Sequence, residues 1–189
     1  MMDRRIKKTK KSIKEALFKF AVIKGMENVT VQDIIDEADI NRATFYYHYK
    51  DKYNLFQEIV DETLEGLMND VVLPHKAESV EDILHPPALA FFKHVEKHIE
   101  IYKIIIGKKG LPGIRWEMLD TLKTSIEKNI MQLEEGEFGV LVEKDFLVNF
   151  IAGALLALIM DWIEGEMPGG ASELADQFVS VITKGVFRE

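Results

Sequence analysis

Cysteine is absent from the 189 residues, which excludes a disulfide framework, a thiolate nucleophile and a cysteine-based zinc site, and suits a reducing, cytoplasmic setting. The N-terminus is basic but lacks the apolar segment of a signal peptide. No convincing strand alternation, internal repeat or low-complexity segment is present. The most membrane-like stretch, "FLVNFIAGALLALIM" from Phe146 to Met160, has 15 uncharged residues before Asp161, short of the roughly 20 that span a bilayer. It reads as a helix buried on nearly all sides inside protein, and no membrane partner is expected. Basic residues are outnumbered, 24 against 32 acidic for a net charge of −8, which argues against indiscriminate binding to nucleic acid or an anionic membrane.

The positive charge is concentrated at one end. Residues 1–52 carry net +4 and the remaining 137 carry net −12. With 47% hydrophobic residues the chain can build a real core, and apolar residues recur at helical spacing almost throughout. The first helix is expected from about Asp3 to Lys24, stopped by Gly25, with "RRIKKTKK" as a solvated basic arm. Thr30 caps a second short helix, and Asp33 completes a capping box. Asn41 caps a third helix over about Arg42 to Tyr49. A fourth, from Lys52, carries Tyr53, Phe56, Val60, Leu64, Leu67 and Val71 in one stripe. Further helices are expected after the proline pair Pro86–Pro87, from about Ile114 to Leu133, from about Glu143 to Glu164, and from a Ser172 cap to about Phe187. The fold class is therefore all-α, with an N-terminal unit at 1–52 and a second helical domain at 53–189.

Residues 40–52, "INRATFYYHYKDK", hold more aromatic surface than one short helix can bury. At 100° per residue, Phe45 and Tyr49 face inward, Ala43, Thr44 and Tyr47 face outward, and Tyr46 and His48 sit on the flanks. Two short capped helices joined by a tight turn form the pattern of a helix-turn-helix, whose second helix meets base edges while its flanks straddle phosphates. The Thr44 methyl suits the thymine methyl, and Gln32 can reach a base edge through its amide. Thr30, Asn41 and Lys52 stand at helix N-termini, where N–H groups favour a phosphate. Arg42 joins this set, and Arg4 and Arg5 of the basic arm can reach additional backbone.

The run "TVQDIIDEADINRATFYYHYKDKYNLF", residues 30–56, resembles the DNA-binding region of the TetR family of bacterial regulators. Thr44, Phe45, Tyr46, His48, Tyr49 and Lys52 match that family's pattern in order and spacing. Asp39 stands where the turn glycine is usual. The resemblance implies an all-helical homodimer, a C-terminal ligand-binding and dimerisation domain, a palindromic double-stranded operator and a small-molecule or protein effector. It implies a transcriptional regulator, not an enzyme, with no cofactor. "DWIEGEMPGGASELADQF" is similar to a Gram-positive branch that includes activators as well as repressors.

The second half offers less specific candidates. Phe150, Ile151, Ala154, Leu155, Leu158 and Trp162 on the apolar helix, with Phe178 and Ile182 on the last, are expected to pair with their copies in a dimer. Tyr102, Trp116 and Asn149 are candidates for lining a ligand pocket. His94 and His98 have the i, i+4 spacing of two metal ligands, and a helical metal-dependent enzyme is the rival reading. "HVEKH" matches neither zinc-protease motif, however, and no third ligand is marked. A DNA-binding scaffold without an effector is a further alternative.

Overall fold

Ile13, Ala16, Leu17 and Ala21, spaced three and four apart, bury one stripe of the first helix, α1 (Arg4–Lys24), in the computed structural model. Gly25 ends it by turning to φ 78°, a conformation costly for residues with a Cβ. The structure describes residues 4–74, 78–108, 110–134, 141–165 and 167–185, all of the regular elements among them being helical. The basic arm is the first two turns of α1 itself, with Arg4, Arg5, Lys7 and Lys8 exposed.

After a 3-10 turn at Met26–Asn28 come α2 (Val31–Glu37), α3 (Arg42–His48) and α4 (Lys52–Asp70). Phe45 and Tyr49 are buried in the same core as Leu17, Ile34, Leu55 and Phe56, so two of the four clustered aromatics hold the N-terminal unit together. Full burial of such side chains stabilises by about 1.5–3 kcal/mol each.

The fifth helix, α5 (Val80–Lys97), begins before the proline pair that was expected to precede it. Ser79 caps it by accepting a hydrogen bond from the Asp82 amide, and Pro86 and Pro87 lie inside. The Ser79 cap, contributing about 1 kcal/mol, sets the start; the interior prolines disfavour the helix by more than that, and burial of Ile83, Pro87, Ala88 and Phe91 holds it through them. His98 closes α5 and opens the short α6 (Ile99–Ile105), whose Ile101 and Ile104 pack with Leu17, Phe18 and Ala21 of α1 and Phe56 and Ile59 of α4. α6 thereby joins the N-terminal unit to the rest.

α7 (Pro112–Glu134) pairs with α8 (Lys144–Ile163), and α9 (Ala171–Lys184) lies along α5. Gly170, not Ser172, is the N-cap of α9, and the Ala171 amide donates to Glu96 instead. Phe92 of α5 anchors this layer, its ring 6.1 Å from Trp162 and 6.3 Å from Phe178.

α8 corrects the expectation of a helix covered on nearly all sides. Only 33% of its most apolar window is buried. Val148, Ile151, Ala152, Leu155, Ile159 and Trp162 face the chain's own core. Phe146, Phe150, Gly153 and Ala157, four and three apart, form an exposed stripe instead. α8 is the one helix among the described residues with the length and composition to cross a membrane.

Candidate nucleic-acid interface

The helix-turn-helix is built by short-range capping. Thr30 Oγ1 accepts from the Asp33 amide at 3.1 Å, and Asp33 Oδ2 accepts from the Thr30 amide at 2.7 Å and its hydroxyl at 2.6 Å. Lys24 adds an ion pair at 2.7 Å, and hydrogen bonds from Lys24 and Thr30 hold the Asp33 carboxyl down at about 2. The turn needs one left-handed residue, which Asp39 supplies at φ 50°; aspartate tolerates this better than most side chains. Asn41 then caps α3, its Oδ1 accepting from the Thr44 amide at 2.7 Å and the Thr44 hydroxyl at 2.9 Å.

These bonds refine the outward face. Ala43 is exposed and Tyr47 is 77% exposed, whereas Thr44 is half-buried with its hydroxyl proton committed to Asn41. What Thr44 can still present is a methyl group and hydroxyl lone pairs. Tyr46 is exposed on one flank, its ring edge on Phe45 and the Arg42 guanidinium 5.7 Å from its centre. His48 occupies the other flank, half-buried, 4.9 Å from Tyr47 between ring centres. Gln32 is exposed but engaged, donating to Asp36 at 2.8 Å and accepting from Arg42 at 3.4 Å. A base edge must displace those contacts.

The Lys52 side chain is engaged within the chain. Its ammonium donates to the carbonyls of Met26, Glu27 and Val29 at 3.2, 2.5 and 2.7 Å. Asp51, which went unremarked in the sequence, is the cap of α4 and accepts from the amides of Tyr53 and Asn54. Lys52 thereby clamps the start of α4 to the segment before α2.

Glu58 of α4 fixes the recognition helix from behind. It receives Lys10 at 2.8 Å, Lys14 at 2.6 Å and the Tyr49 hydroxyl at 3.1 Å. Partial burial works to raise the Glu58 pKa, but the hydrogen bonds from Lys10 and Lys14 prevail and hold it at about 2. Burial and then the Glu58 charge push the Tyr49 phenol well above its ordinary range.

The expected pocket residues do not assemble. Tyr102 is fully buried, Trp116 is 70% exposed, and Asn149 is exposed and donates to the Asp145 carbonyl. An apolar cavity of about 100 Å³ lies instead among α4, α5, α7, α8 and α9, with Leu84, Phe91, Ile126, Ile151, Leu155 and Phe178 in its wall. Met68, Val71, Leu73, Ser125 and Asn129 are common to it and to an open groove of about 580 Å³ with Asp120, Thr124 and Lys128 on its rim. In sequence Ile151, Leu155 and Phe178 read as dimer residues, and the other wall positions could not be told from core, because wall, core and interface residues share one helical spacing.

The proposed dimer residues divide. Phe150 is exposed and Ala154 and Leu158 are half-buried, but Ile151, Leu155 and Trp162 are buried within the chain, and Phe178 and Ile182 line the cavity. His94 and His98 form no metal centre: among the described residues no group of three His, Asp or Glu side chains is placed to hold an ion. His94 Nδ1 is 2.7 Å from the Asp70 carboxylate.

Comparison with known proteins agrees with this geometry. The family described as "Bacterial regulatory proteins, tetR family" matches residues 14–59, and "Transcriptional regulator C-terminal region" matches residues 82–184. The Mycobacterium tuberculosis HTH-type transcriptional repressor KstR2 is 23% identical over 179 residues, covering 88% of this chain and 86% of its own. The HTH-type regulator YxbF of Bacillus subtilis is 19% identical over 93% of this chain, which spans only 45% of that relative's length. Among solved structures, the Thermus thermophilus TetR-family regulator PfmR superposes with a TM-score of 0.70 at 21% identity, covering 94% of this chain and 96% of that one. The Bacillus halodurans fatty acid degradation regulator FadR gives 0.71 at 17% identity, covering 94% and 99%. With matched regions at both ends of the chain and the helix-turn-helix inside the first of them, this protein belongs to the TetR family of bacterial transcriptional regulators.

Proposed function

We propose that this regulator acts as a cytoplasmic, homodimeric repressor that leaves its operator when an effector enters the second domain. The observation that carries the reading is the exposed face of α3. Ala43 and Tyr47 stand clear of the core, Thr44 offers its methyl beside them, and Arg42 with Tyr46 borders the same helix. Such a face suits a major groove, with Arg4 and Arg5 on the exposed first turn of α1 as further backbone contacts. Residues 1–52 are the DNA-binding unit and 53–189 the effector and dimerisation unit, with α4 running from one into the other.

The dimer face is the outer stripe of α8, where Phe146 and Phe150 stack at 6.4 Å and Gly153, Ala154 and Ala157 permit close approach. A two-fold pair of recognition helices then calls for half-sites about one DNA turn apart, on the order of 34–36 Å. Repression is supported by relatives named repressors. The effector reading rests on the apolar cavity opening toward a polar-rimmed groove, which suits an apolar chain with a polar head. One relative is named a fatty acid degradation regulator. Because α6 packs under α1, movement of α4 and α6 on binding tilts the reading helix.

Selection from random duplexes, followed by fluorescence anisotropy on the enriched sequence, tests this. An inverted repeat bound by a dimer, with affinity lost in Tyr47→Ala, is the expected result. Enrichment of no sequence, or equal affinity of that variant, overturns the reading.

A further inference from the structure

A second concavity, of about 530 Å³, lies where the DNA-binding unit meets the rest of the chain. Phe18 of α1, Ile59 and Gly66 of α4, His94 and His98 at the end of α5, and Ile101 of α6 line it. It shares no lining residue with the apolar cavity among α7, α8 and α9 or with the groove that opens from it. Its volume falls within the roughly 300–1,000 Å³ typical of small-molecule sites.

His94 gives this groove a specific chemistry. The ring is 4% exposed, and its Nδ1 lies 2.7 Å from Asp70 Oδ2, so Nδ1–H donates to the carboxylate. In the neutral ring that hydrogen bond leaves Nε2 as a lone-pair acceptor. The Cε1–Nε2 edge faces Gly66: a Cβ built there meets Cε1 at 3.2 Å and Nε2 at 4.0 Å. Nε2 of His94 and the Tyr102 hydroxyl are the buried side-chain polar atoms without a hydrogen-bond partner among the described residues, and the two rings lie 6.1 Å apart. Buried polar groups left unpaired are costly and uncommon.

The surroundings select against an anion. Lys14 on the groove wall is matched by Glu58 and Glu62 at 2.6 Å each, and Glu15 and Glu62 line the same wall. Burial, and then His94 and Lys97 beside it, hold the His98 ring below the usual imidazole range. Two imidazoles 4.7 Å apart, an already satisfied lysine and walls of Phe18, Ile59 and Ile101 offer hydrogen-bond acceptance on an apolar bed.

We propose that this groove is a second small-molecule site, separate from the effector cavity, which takes a neutral, mainly apolar alcohol or phenol of about two fused rings. Its hydroxyl donates to Nε2 of His94, and its rings lie on Phe18, Ile59 and Ile101. Such an occupant touches α1 on one side and α4 to α6 on the other, and so bridges the two units.

The test uses the full chain, with histidine-ring 1H–15N spectra recorded during titration with 2-naphthol and, separately, with naphthalene. Saturable shifts of the His94 and His98 ring nitrogens with 2-naphthol, and binding about tenfold or more weaker for naphthalene, are expected. His94→Gln and Gly66→Ala should both weaken 2-naphthol binding. If His94→Gln fails to fold, the parent spectra and Gly66→Ala still decide. Unmoved histidine signals, equal affinity for the two compounds, parent-like binding in a folded His94→Gln, or 2-naphthol shifting only residues of the α7–α8 cavity would each overturn the proposal.

Discussion

Lys52→Met keeps the length of the side chain and removes its charge. In the structure that ammonium reaches the carbonyls of Met26, Glu27 and Val29 at 2.5 to 3.2 Å, tying the first turn of α4 to the chain just before α2. A hydrogen bond to a charged group contributes about 1.5–3 kcal/mol. One ammonium shared among three carbonyls, of which that of Glu27 is exposed, does not deliver three such increments. The expected loss is roughly 2 kcal/mol, or about 4–8 °C in Tm for a chain of this size. Urea or thermal unfolding measures it directly. Operator binding across a salt series supplies the second readout, because a lost phosphate contact would make the dependence of log K on log salt shallower by about one. With Lys52 as an internal clamp, stability falls and the salt slope of the folded fraction is unchanged. Parent-like unfolding together with a shallower slope would refute the reasoning and return Lys52 to the DNA backbone.

Thr44→Ala removes both the methyl group and the hydroxyl that Asn41 holds at 2.9 Å; about 1–3 kcal/mol of operator affinity should be lost, with specificity relaxed at one base pair, as read by anisotropy on single-base operator variants. Phe150→Glu, on the outer stripe of α8, should give a folded monomer by sedimentation, whereas Leu155→Arg, which faces the core, should unfold the chain; a dimeric Phe150→Glu protein counts against the α8 interface. Glu58 titrates at about 2 in the folded chain against an ordinary 4.5, so its stabilisation is complete above the higher value and is lost as pH falls toward the lower. Glu58→Gln should therefore cost on the order of 1 kcal/mol at neutral pH, after allowance for solvent exposure, and flatten the acid limb of unfolding in that window. An unchanged acid limb would show that Lys10 and Lys14 do not act through Glu58.

The helix-turn-helix could be read directly because its chemistry is local. Thr30 with Asp33, Asn41 with Thr44, and Phe45 with Tyr49 each act within about one helical turn, where spacing along the chain is spacing in space. The left-handed turn at Asp39 and the stop at Gly25 are likewise properties of single residues and their neighbours. Even local signals can compete, as at Ser79, where a cap starts α5 ahead of prolines that looked like its boundary. Apolar periodicity alone says that a helix has a buried side without saying which neighbour covers it. α8 is so uniformly apolar that sequence could not assign its faces; only packing against α7 and the core turned Leu155 and Trp162 inward and left Phe146 and Phe150 outside. Lys52 found three carbonyls more than twenty residues away, and His94 found Asp70 across two helices. Those partners are chosen by which helix faces meet when the core closes. That is a long-range outcome of burying apolar surface, and no spacing rule within the chain encodes it.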